Sequence, residues 1–408
     1  MHFMTGQRVL SRIQRAAAFG IVILAVVAFT ADSAWAVKIA TYNLLNYSSG
    51  RTTEFKTILN VMQADVLVAQ ELTGQTAVNY FLTNVLNATD GPGGYAAATF
   101  QLTPGDTGNA LFYRTATITY AGPSDHIVLS TSPRYTDRWK LGMVGGSVSF
   151  YVYSMHLKAG DTTPDADSRT VQCTAVRTNT NALPAGTAFI LCGDFNLYNS
   201  AEAAYQQLIG SQSNNNGRAF DPINTPGAWH SDYSYRTIHT QSPCLGTDPN
   251  NPCVSGATGG GMDDRFDFVL ISSALQDDQG LDYVSGSYKA FGNDGQHFNM
   301  DINALPVIPE GTAVANALHS AADHLPVALE LTAPPLLTVP GSLFFGTIIV
   351  GASSPDNEKT LHVQNGAVPP ALDLTYTFTT VPSGFSVAGG TGPFTLSPGT
   401  GRDHTIAV

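Results

Sequence analysis

A chain of 408 residues is longer than most single domains, so the length predicts two domains. Hydrophobic residues make up 43% of the sequence and charged residues 12%, which excludes an intrinsically disordered chain. The net charge of −12 excludes a protein that holds polyanions through a basic surface alone. It does not exclude an enzyme whose cations are bound metal ions.

The first 36 residues have the features of a signal peptide. Three arginines precede an apolar run at residues 16–30, and Ala34-Trp35-Ala36 supplies the small residues that a signal peptidase accepts. The alternative is an uncleaved membrane anchor, but the run is shorter than the about 20 residues that cross a bilayer. We therefore expect a mature chain that begins at Val37 and is secreted, periplasmic or held at the cell surface.

Four cysteines in an exported chain predict disulfides. Cys244 and Cys253 flank a short loop of turn-forming residues, so we expect them to pair. Cys173 and Cys192 would then pair by elimination, although four cysteines allow three connectivities. The spacings do not fit a zinc site.

Strand and helix patterns alternate after the leader. Apolar residues at helical spacing predict helices at residues 55–62 and 78–85, and a third helix is predicted over residues 168–183. Strands are predicted at residues 38–42, 65–69, 110–113, 147–156, 188–192, 266–271 and 327–331. Many strands with few helices indicate an α+β fold for residues 37–332, in which two packed sheets are flanked by helices in four layers.

The character of the sequence changes after about residue 332. Residues 333–408 contain few charged side chains and no helical period, and their short β-rich runs are separated by Gly, Pro and Asn. This pattern predicts a small all-β, immunoglobulin-like sandwich. The sequence ends within a strand pattern, so we expect the natural domain to continue. It resembles modules appended to exported bacterial enzymes, which implies a role in attachment or spacing.

Polar residues recur where the predicted strands of the first domain begin or end. They are Asn43, Glu71, His156, Asp194, Asn196, Asp267, Asp323 and His324. Strand ends on one edge of a sandwich converge, so we expect these groups to meet in one cleft. Oxygen donors dominate and no thiolate is present, which favours Mg²⁺, with Mn²⁺ or Ca²⁺ as alternatives. Such an ion, with carboxylates and imidazoles, suits the attack of water on a phosphoryl group.

These residues lie in six short motifs, in the order TYN, QE, MHL, GDFN, RFDF and DHLP, between about residues 37 and 331. This ordered series resembles the endonuclease/exonuclease/phosphatase superfamily. The resemblance implies a metal-dependent hydrolase of phosphoric esters. It also implies that Glu71 is the main metal ligand, with Asn43 beside it and Asp323 as a second carboxylate.

The same resemblance implies the catalytic roles. Asp194 would orient or deprotonate the attacking water, and Asn196 would hold the water or the phosphate. His324, oriented by Asp267, would contact the scissile phosphate, while His156 would contact the phosphate or assist the leaving group. A phosphate-binding arginine would be Arg134 or Arg138, and the sequence does not decide between them.

The expected function is that of a secreted nuclease acting on DNA, RNA or both. The second hypothesis keeps the chemistry but changes the substrate to a phospholipid such as sphingomyelin, or to a phosphoinositide. A lipid-cleaving enzyme needs exposed apolar residues near its cleft, and the sequence offers only the isolated Trp139 and Trp229. The third hypothesis is a binding or adhesion protein on an inactive scaffold. It predicts that motif residues are lost, and none is.

Overall fold

The computed structural model describes residues 16–19, 23–24, 36–101, 105–122, 125–129, 134–145, 148–277, 280–347, 354–367 and 371–408. The predicted signal peptide lies outside the described residues, apart from residues 16–19, 23–24 and Ala36. Among the described residues, no helix combines the length and the apolar character needed to cross a membrane.

The strands and helices have the following bounds. The strands are β1 (Ala16–Phe19), β2 (Ile23–Leu24), β3 (Ala36–Tyr47), β4 (Val66–Leu72), β5 (Tyr95–Ala97), β6 (Gly108–Arg114), β7 (Ile118–Tyr120), β8 (Asp125–Val128), β9 (Tyr135–Met143), β10 (Ser149–His156), β11 (Phe189–Asp194), β12 (Ala219–Phe220), β13 (Asp267–Ser272), β14 (Asp282–Tyr283), β15 (Lys289–Ala290), β16 (Val327–Thr332), β17 (Leu337–Thr338), β18 (Leu343–Thr347), β19 (Glu358–Asn365), β20 (Leu374–Phe378), β21 (Ser386–Val387), β22 (Phe394–Leu396) and β23 (Gly401–Ala407). The α-helices are α1 (Thr52–Met62), α2 (Gln75–Phe81), α3 (Thr163–Asn181), α4 (Ala203–Ile209) and α5 (Thr312–Ala321).

Helix α1 buries all four residues of the apolar stripe that predicts it: Phe55, Ile58, Leu59 and Met62. The second predicted helix is α2 followed by a π-helical turn, Leu82–Leu86. Helices α4 and α5 were not predicted.

Helix α3 begins five residues before the predicted start at Ser168. The carboxylate of Asp165 accepts the backbone N–H of Thr162 at 3.3 Å and its hydroxyl at 2.6 Å. Pro164 lies in the first turn, where its missing N–H costs no hydrogen bond. This polar capping segment has no apolar periodicity, so a prediction from hydrophobic periodicity places the start of the helix too late.

Residues between Trp35 and Ala333 form one compact unit with two mixed seven-stranded sheets. The first sheet has the order β12-β13-β11-β10-β9-β7, with β8 paired to β9; the second has the order β14-β16-β3-β4-β6-β5, with β15 paired to β16. Each sheet has a parallel pair, β10 with β11 and β3 with β4, joined by a crossover helix, α3 or α1.

Helices cover the outer face of each sheet. Helices α1, α2 and α5 pack on the second sheet through a core that includes Tyr42, Phe55 and Leu318. Helices α3 and α4 pack on the first sheet through Cys173, Leu191, Leu208 and their neighbours. The inner faces meet where β3 and β4 contact β10 and β11. The predicted α+β sandwich of two helix-flanked sheets is therefore confirmed.

Residues 334–408, together with β1 and β2, form the second compact unit. Its strands form a four-stranded sheet (β17-β19-β23-β21), a three-stranded sheet (β2-β20-β22) and the pair β1-β18. Leu361, Val363, Tyr376 and Ile406 lie in its apolar core and are fully buried. The described part of this unit is therefore β-structure around a small core of its own.

The structure confirms one of the two expected disulfides. Cys244 and Cys253 are bonded, but Cys173 and Cys192 are free and buried, so the pairing by elimination was wrong. Cys173 packs in the helix-facing core beside Leu191. Cys192 follows Leu191 on β11, so its side chain points to the opposite face of the sheet, where its thiol contacts the carbonyl of Tyr153 at 3.3 Å.

Burial raises the pKa of both free thiols, which makes them unreactive in the native protein. We therefore expect an alkylating reagent to label neither Cys173 nor Cys192 before unfolding and both after it. Non-reducing peptide mapping should recover the Cys244–Cys253 peptide as a crosslinked pair. A crosslink between Cys173 and Cys192 would contradict the structure.

Candidate active site

The polar residues at the strand ends of the two sheets meet in one cleft. Asn43 and Glu71 come from β3 and β4 of one sheet, and His156 and Asp194 end β10 and β11 of the other. The side-chain amide of Asn43 donates to Glu71 Oε1 at 3.1 Å and to Asp194 Oδ2 at 3.2 Å. One buried amide thus connects the carboxylates of both sheets.

Glu71 lies in a strained part of its strand. Its φ of 65° is in the left-handed region, and the pairing of β4 with β6 shifts register between Ala69 and Leu72. Such an irregularity re-aims a side chain. The Glu71 carboxylate is held in place because Oε2 accepts the N–H of Asn46 at 2.7 Å. Strain that is held by hydrogen bonds in this way is characteristic of functional sites.

The glycine of the GDFN motif is required by the backbone. A Cβ on Gly193 would lie 2.0 Å from the carbonyl oxygen of Met155, and φ is 132°. Only glycine lets β11 pass β10 this closely before Asp194 enters the cleft. Asn196 then takes a left-handed conformation, donates its backbone N–H to Asp194 Oδ1 at 3.0 Å, and donates its amide to the Leu157 carbonyl at 3.2 Å.

His324 and Asp267 form a buried pair. His324 Nδ1 lies 2.7 Å from Asp267 Oδ2, and His324 Nε2 lies 3.7 Å from Asp194 Oδ2. Burial lowers the pKa of His324, but attraction to Asp267 and Asp194 more than offsets it, so this pKa is raised well above its ordinary value. His324 is therefore an imidazolium at neutral pH.

The surroundings of Asp194 and His156 shift the pKa values of these two side chains in opposite directions. Burial raises the pKa of Asp194 to about 7; His324 opposes this rise, and the charges of Asp267 and Glu71 add to it. Burial lowers the pKa of His156, and the positive charges of Arg134 and His324 lower it further. His156 is thus neutral, with Nε2 at 3.6 Å from Asp194 and 3.7 Å from Glu71. A carboxyl group that titrates near neutral pH is suited to accept a proton from water.

The donor set fits a hard divalent cation. Glu71 brings carboxylate oxygens to the cleft, and no thiolate lies among the site residues. Asn43 turns its amide nitrogen towards Glu71, while its Oδ1 accepts the backbone N–H of Leu45 at 3.0 Å. Asp323 Oδ2 accepts the N–H of Thr258 at 2.8 Å, which fixes its carboxylate next to His324. Ligand atoms of Asp194, Asp267 and His324 also lie within 4.8 Å of one another. Because His324 Nδ1 already bonds Asp267, this trio is better suited to holding protons than to holding metal.

The structure separates the two candidate arginines. Arg134 Nη1 donates at 2.9 Å to the carbonyl of Leu157, which also receives the Asn196 amide. Arg138 instead pairs with Asp125 and donates to Asn179 of α3 at 3.0 Å. Arg134 therefore lies at the cleft, and Arg138 lies on the helix-facing side of the sheet.

Two residues at the site were missed by the sequence analysis. The side-chain amide of Gln241 lies 2.9 Å from His324 Nε2. The hydroxyl of Thr240 accepts the backbone N–H of Asp267 at 3.1 Å. Both lie in an irregular segment without periodicity, and hydroxyl and amide residues are common in such segments. No signal in the sequence singles them out.

The sequence matches the Endonuclease/Exonuclease/phosphatase family over residues 40–286, more than half of the chain. The chain belongs to this family. Its members are divalent-metal-dependent hydrolases that act on phosphoester bonds. No curated protein matches the sequence.

Several solved structures match most of the chain. The human Nocturnin catalytic domain with bound sulfate is 16% identical, with a TM-score of 0.45, over 73% of this chain and 94% of that one. D. rerio TDP2 complexed with single-strand DNA product is 15% identical, with a TM-score of 0.49, over 73% of this chain and 99% of that one. A Bacteroides thetaiotaomicron mannosyl-6-phosphatase is 16% identical, with a TM-score of 0.46, over 72% of this chain and 99% of that one.

The contact between His324 and Asp267 generates a prediction for turnover of a phosphodiester such as bis(p-nitrophenyl) phosphate. His324→Ala should lower kcat by about 10²- to 10⁴-fold, the range of a positioned acid–base group. Asp267→Asn should also be severe, because the amide stabilises the wrong tautomer. The double variant should be little worse than His324→Ala, because residues that act as a unit are not additive.

The buried pair His297–Asp294 provides the control, since His297 Nδ1 lies 3.0 Å from Asp294 Oδ1 in a loop. His297→Ala should lower the melting temperature and leave kcat close to that of the unmodified protein. If well-folded His324→Ala keeps near-normal kcat, the pair is only a structural tie between strands.

Proposed function

We propose that the protein is a secreted, divalent-metal-dependent nuclease that hydrolyses DNA, RNA or both. The observation that carries the proposal is the single cleft in which Asn43 bridges Glu71 and Asp194, opposite the His324–Asp267 pair. An inactive binding scaffold has no need for this arrangement, in which strained and buried charged groups converge.

The residues divide the chemistry between them. Glu71, with Asn43 and Asp323, would hold the divalent ion, which supplies positive charge to the phosphate when bound. Asp194 accepts a proton from the attacking water. Asn196 holds the Asp194 carboxylate through its backbone N–H and orients the water. The His324 imidazolium donates to a phosphate oxygen as charge develops there. Neutral His156 contacts the phosphate or assists the leaving group.

Mg²⁺ is the proposed ion, with Mn²⁺ or Ca²⁺ able to replace it, because the donors are carboxylate and amide oxygens. Arg134 is the proposed phosphate-binding arginine, because it bonds the same carbonyl as Asn196. Secretion is supported by the leader and by the Cys244–Cys253 disulfide, since disulfides persist in oxidising compartments.

A phospholipid is the second candidate substrate. Trp139 and Trp229 are fully buried and cannot enter a membrane surface. A loop segment nevertheless exposes Leu305 by 79% and Val307 by 46%. Because exposed apolar side chains are what a membrane-binding enzyme needs, the substrate test includes a lipid.

For the second unit we propose an immunoglobulin-like module that attaches the enzyme to the cell surface or to another protein. Its support is the β-structure of residues 334–408 and their separate apolar core.

The substrate is tested with purified protein, Mg²⁺, and plasmid DNA, RNA and sphingomyelin vesicles in parallel. We expect cleavage of one or both nucleic acids. EDTA should abolish it, and Mg²⁺ or Mn²⁺ should restore it, because the ligands are hard oxygen donors. Glu71→Gln should raise the Mg²⁺ concentration needed for half-maximal activity.

Hydrolysis of sphingomyelin without cleavage of nucleic acid would replace the proposed substrate by the lipid. Rescue by Zn²⁺ alone would contradict the assignment of the ion. Glu358→Gln, the same change at a partly buried glutamate of the second unit, serves as the control for Glu71→Gln and should keep the normal dependence on Mg²⁺.

The position of the site generates a prediction for truncation. A chain that ends at Ala333 should retain full kcat on a nucleic acid or a small diester, because every proposed site residue precedes that position. Circular dichroism should show that it is folded. A folded truncated protein with strongly reduced kcat would mean that residues 334–408 shape the site.

A further inference from the structure

We propose that His230, Tyr198 and Asp264 form a second phosphate-binding subsite that holds the neighbouring phosphate of a nucleic-acid strand. The inference rests on the proposed nuclease function and deepens it, because it selects polynucleotides over phosphate monoesters. Three observations support it: the place of the trio, the orientation of His230, and the aromatic wall beside it.

Backbone contacts connect the residues of this subsite to the segments that carry the proposed catalytic residues. The N–H of His230 donates to the carbonyl of Tyr198 at 3.3 Å, and Tyr198 is two residues after Asn196. On the other side, Asp264 forms a β-bridge with Gln241, which forms another with His324. Two strand spacings separate Asp264 from His324, roughly 10 Å. The subsite is therefore next to the reacting phosphate.

His230 presents one ring edge to solvent. Its side chain is 53% exposed, while that of its partner Asp264 is 13% exposed. His230 Nδ1 lies 2.7 Å from Asp264 Oδ1. The carboxylate thus accepts the Nδ1 proton and fixes the ring, which leaves Nε2 on the opposite edge for a ligand. A phosphate oxygen that accepts Nε2–H from the imidazolium form gains a charge-assisted hydrogen bond.

Tyr198 forms an aromatic wall beside this imidazole. Its ring lies 5.4 Å from His230 and 5.1 Å from Phe266, edge to face in both cases. The guanidinium of Arg169 lies 5.5 Å from the Tyr198 ring and is itself bonded to Glu202 at 2.8 Å. A half-buried ring held in this way suits the sugar or base that adjoins a phosphate, because bases stack on aromatic side chains.

The surrounding charges limit the subsite to a single phosphate. Asp232 and Asp263 flank His230 in the described structure; Asp263 accepts the hydroxyl of Ser231, and Asp232 accepts the N–H of Ser234 at 2.8 Å. These carboxylates would repel a longer run of phosphates. The arrangement therefore favours a strand that crosses the cleft and exposes its next phosphate only to His230.

The chain contains a matched control pair. In residues 334–408, His362 Nδ1 lies 2.7 Å from Asp403 Oδ1, and the His362 side chain is 55% exposed. His362 matches His230 in its contact and in its own exposure, although its partner Asp403 is 68% exposed, and it lies in the unit without proposed site residues.

The test compares dTpT with dTpTpT, which adds one phosphate, or the ribonucleotide equivalents if RNA is preferred. In the unmodified enzyme, kcat/KM should be about tenfold higher for the trinucleotide, the effect of one hydrogen bond to a charged group. His230→Gln should remove most of this advantage through KM, and His230→Arg should retain part of it. His362→Gln should leave the ratio unchanged. If a substitution changes a catalytic step that both substrates share, that change cancels in the ratio of the two kcat/KM values.

The outcomes separate the subsite from the function. Cleavage of both oligonucleotides with an unchanged ratio in His230→Gln overturns the subsite alone. Hydrolysis of bis(p-nitrophenyl) phosphate without cleavage of either oligonucleotide overturns the nuclease and the subsite together. If His230→Gln is unstable, Asp264→Asn replaces it, because loss of the carboxylate should reduce the same ratio.

Discussion

The hydrogen bonds of one amide, that of Asn43, connect the two halves of the catalytic unit. The amide reaches Glu71 on its own sheet and Asp194 on the facing sheet, both at hydrogen-bond distance. Two carboxylates that face each other in a buried cleft repel unless a donor or cation lies between them. Asn43 supplies that donor without adding charge, so the two sheets can present their acids to the same ligand.

The remaining groups balance the charge around this bridge. His324, held by Asp267, is the cation nearest to Asp194 in the described site, and Arg134 adds a second positive charge at the cleft. Glu71 is left without a cation at hydrogen-bond distance among the described residues. A divalent ion bound at Glu71 would supply positive charge there, in agreement with the metal dependence of the family.

Much of this site was predictable because strand ends carry local signals. Each of four site residues follows an apolar run: Asn43, Glu71, His156 and Asp194. Gly193, near the end of β11, indicates that the strand ends there. The Cys173–Cys192 pairing was wrong because counting cysteines says nothing about which face of a sheet each one occupies. Gln241 and Thr240 could not be found, because they reach the site from an irregular segment that lacks periodicity.

The sequence by itself indicated the family, through its six ordered motifs. It also predicted the two-sheet sandwich and the polar residues at the strand ends, because alternation and helical spacing are local properties of the chain. Tertiary structure decided which of these residues meet, since contacts such as Asn43 with Asp194 join positions 151 residues apart. It also decided that Arg134, and not Arg138, faces the cleft. The direction of a side chain depends on the register of neighbouring strands, which the sequence does not state.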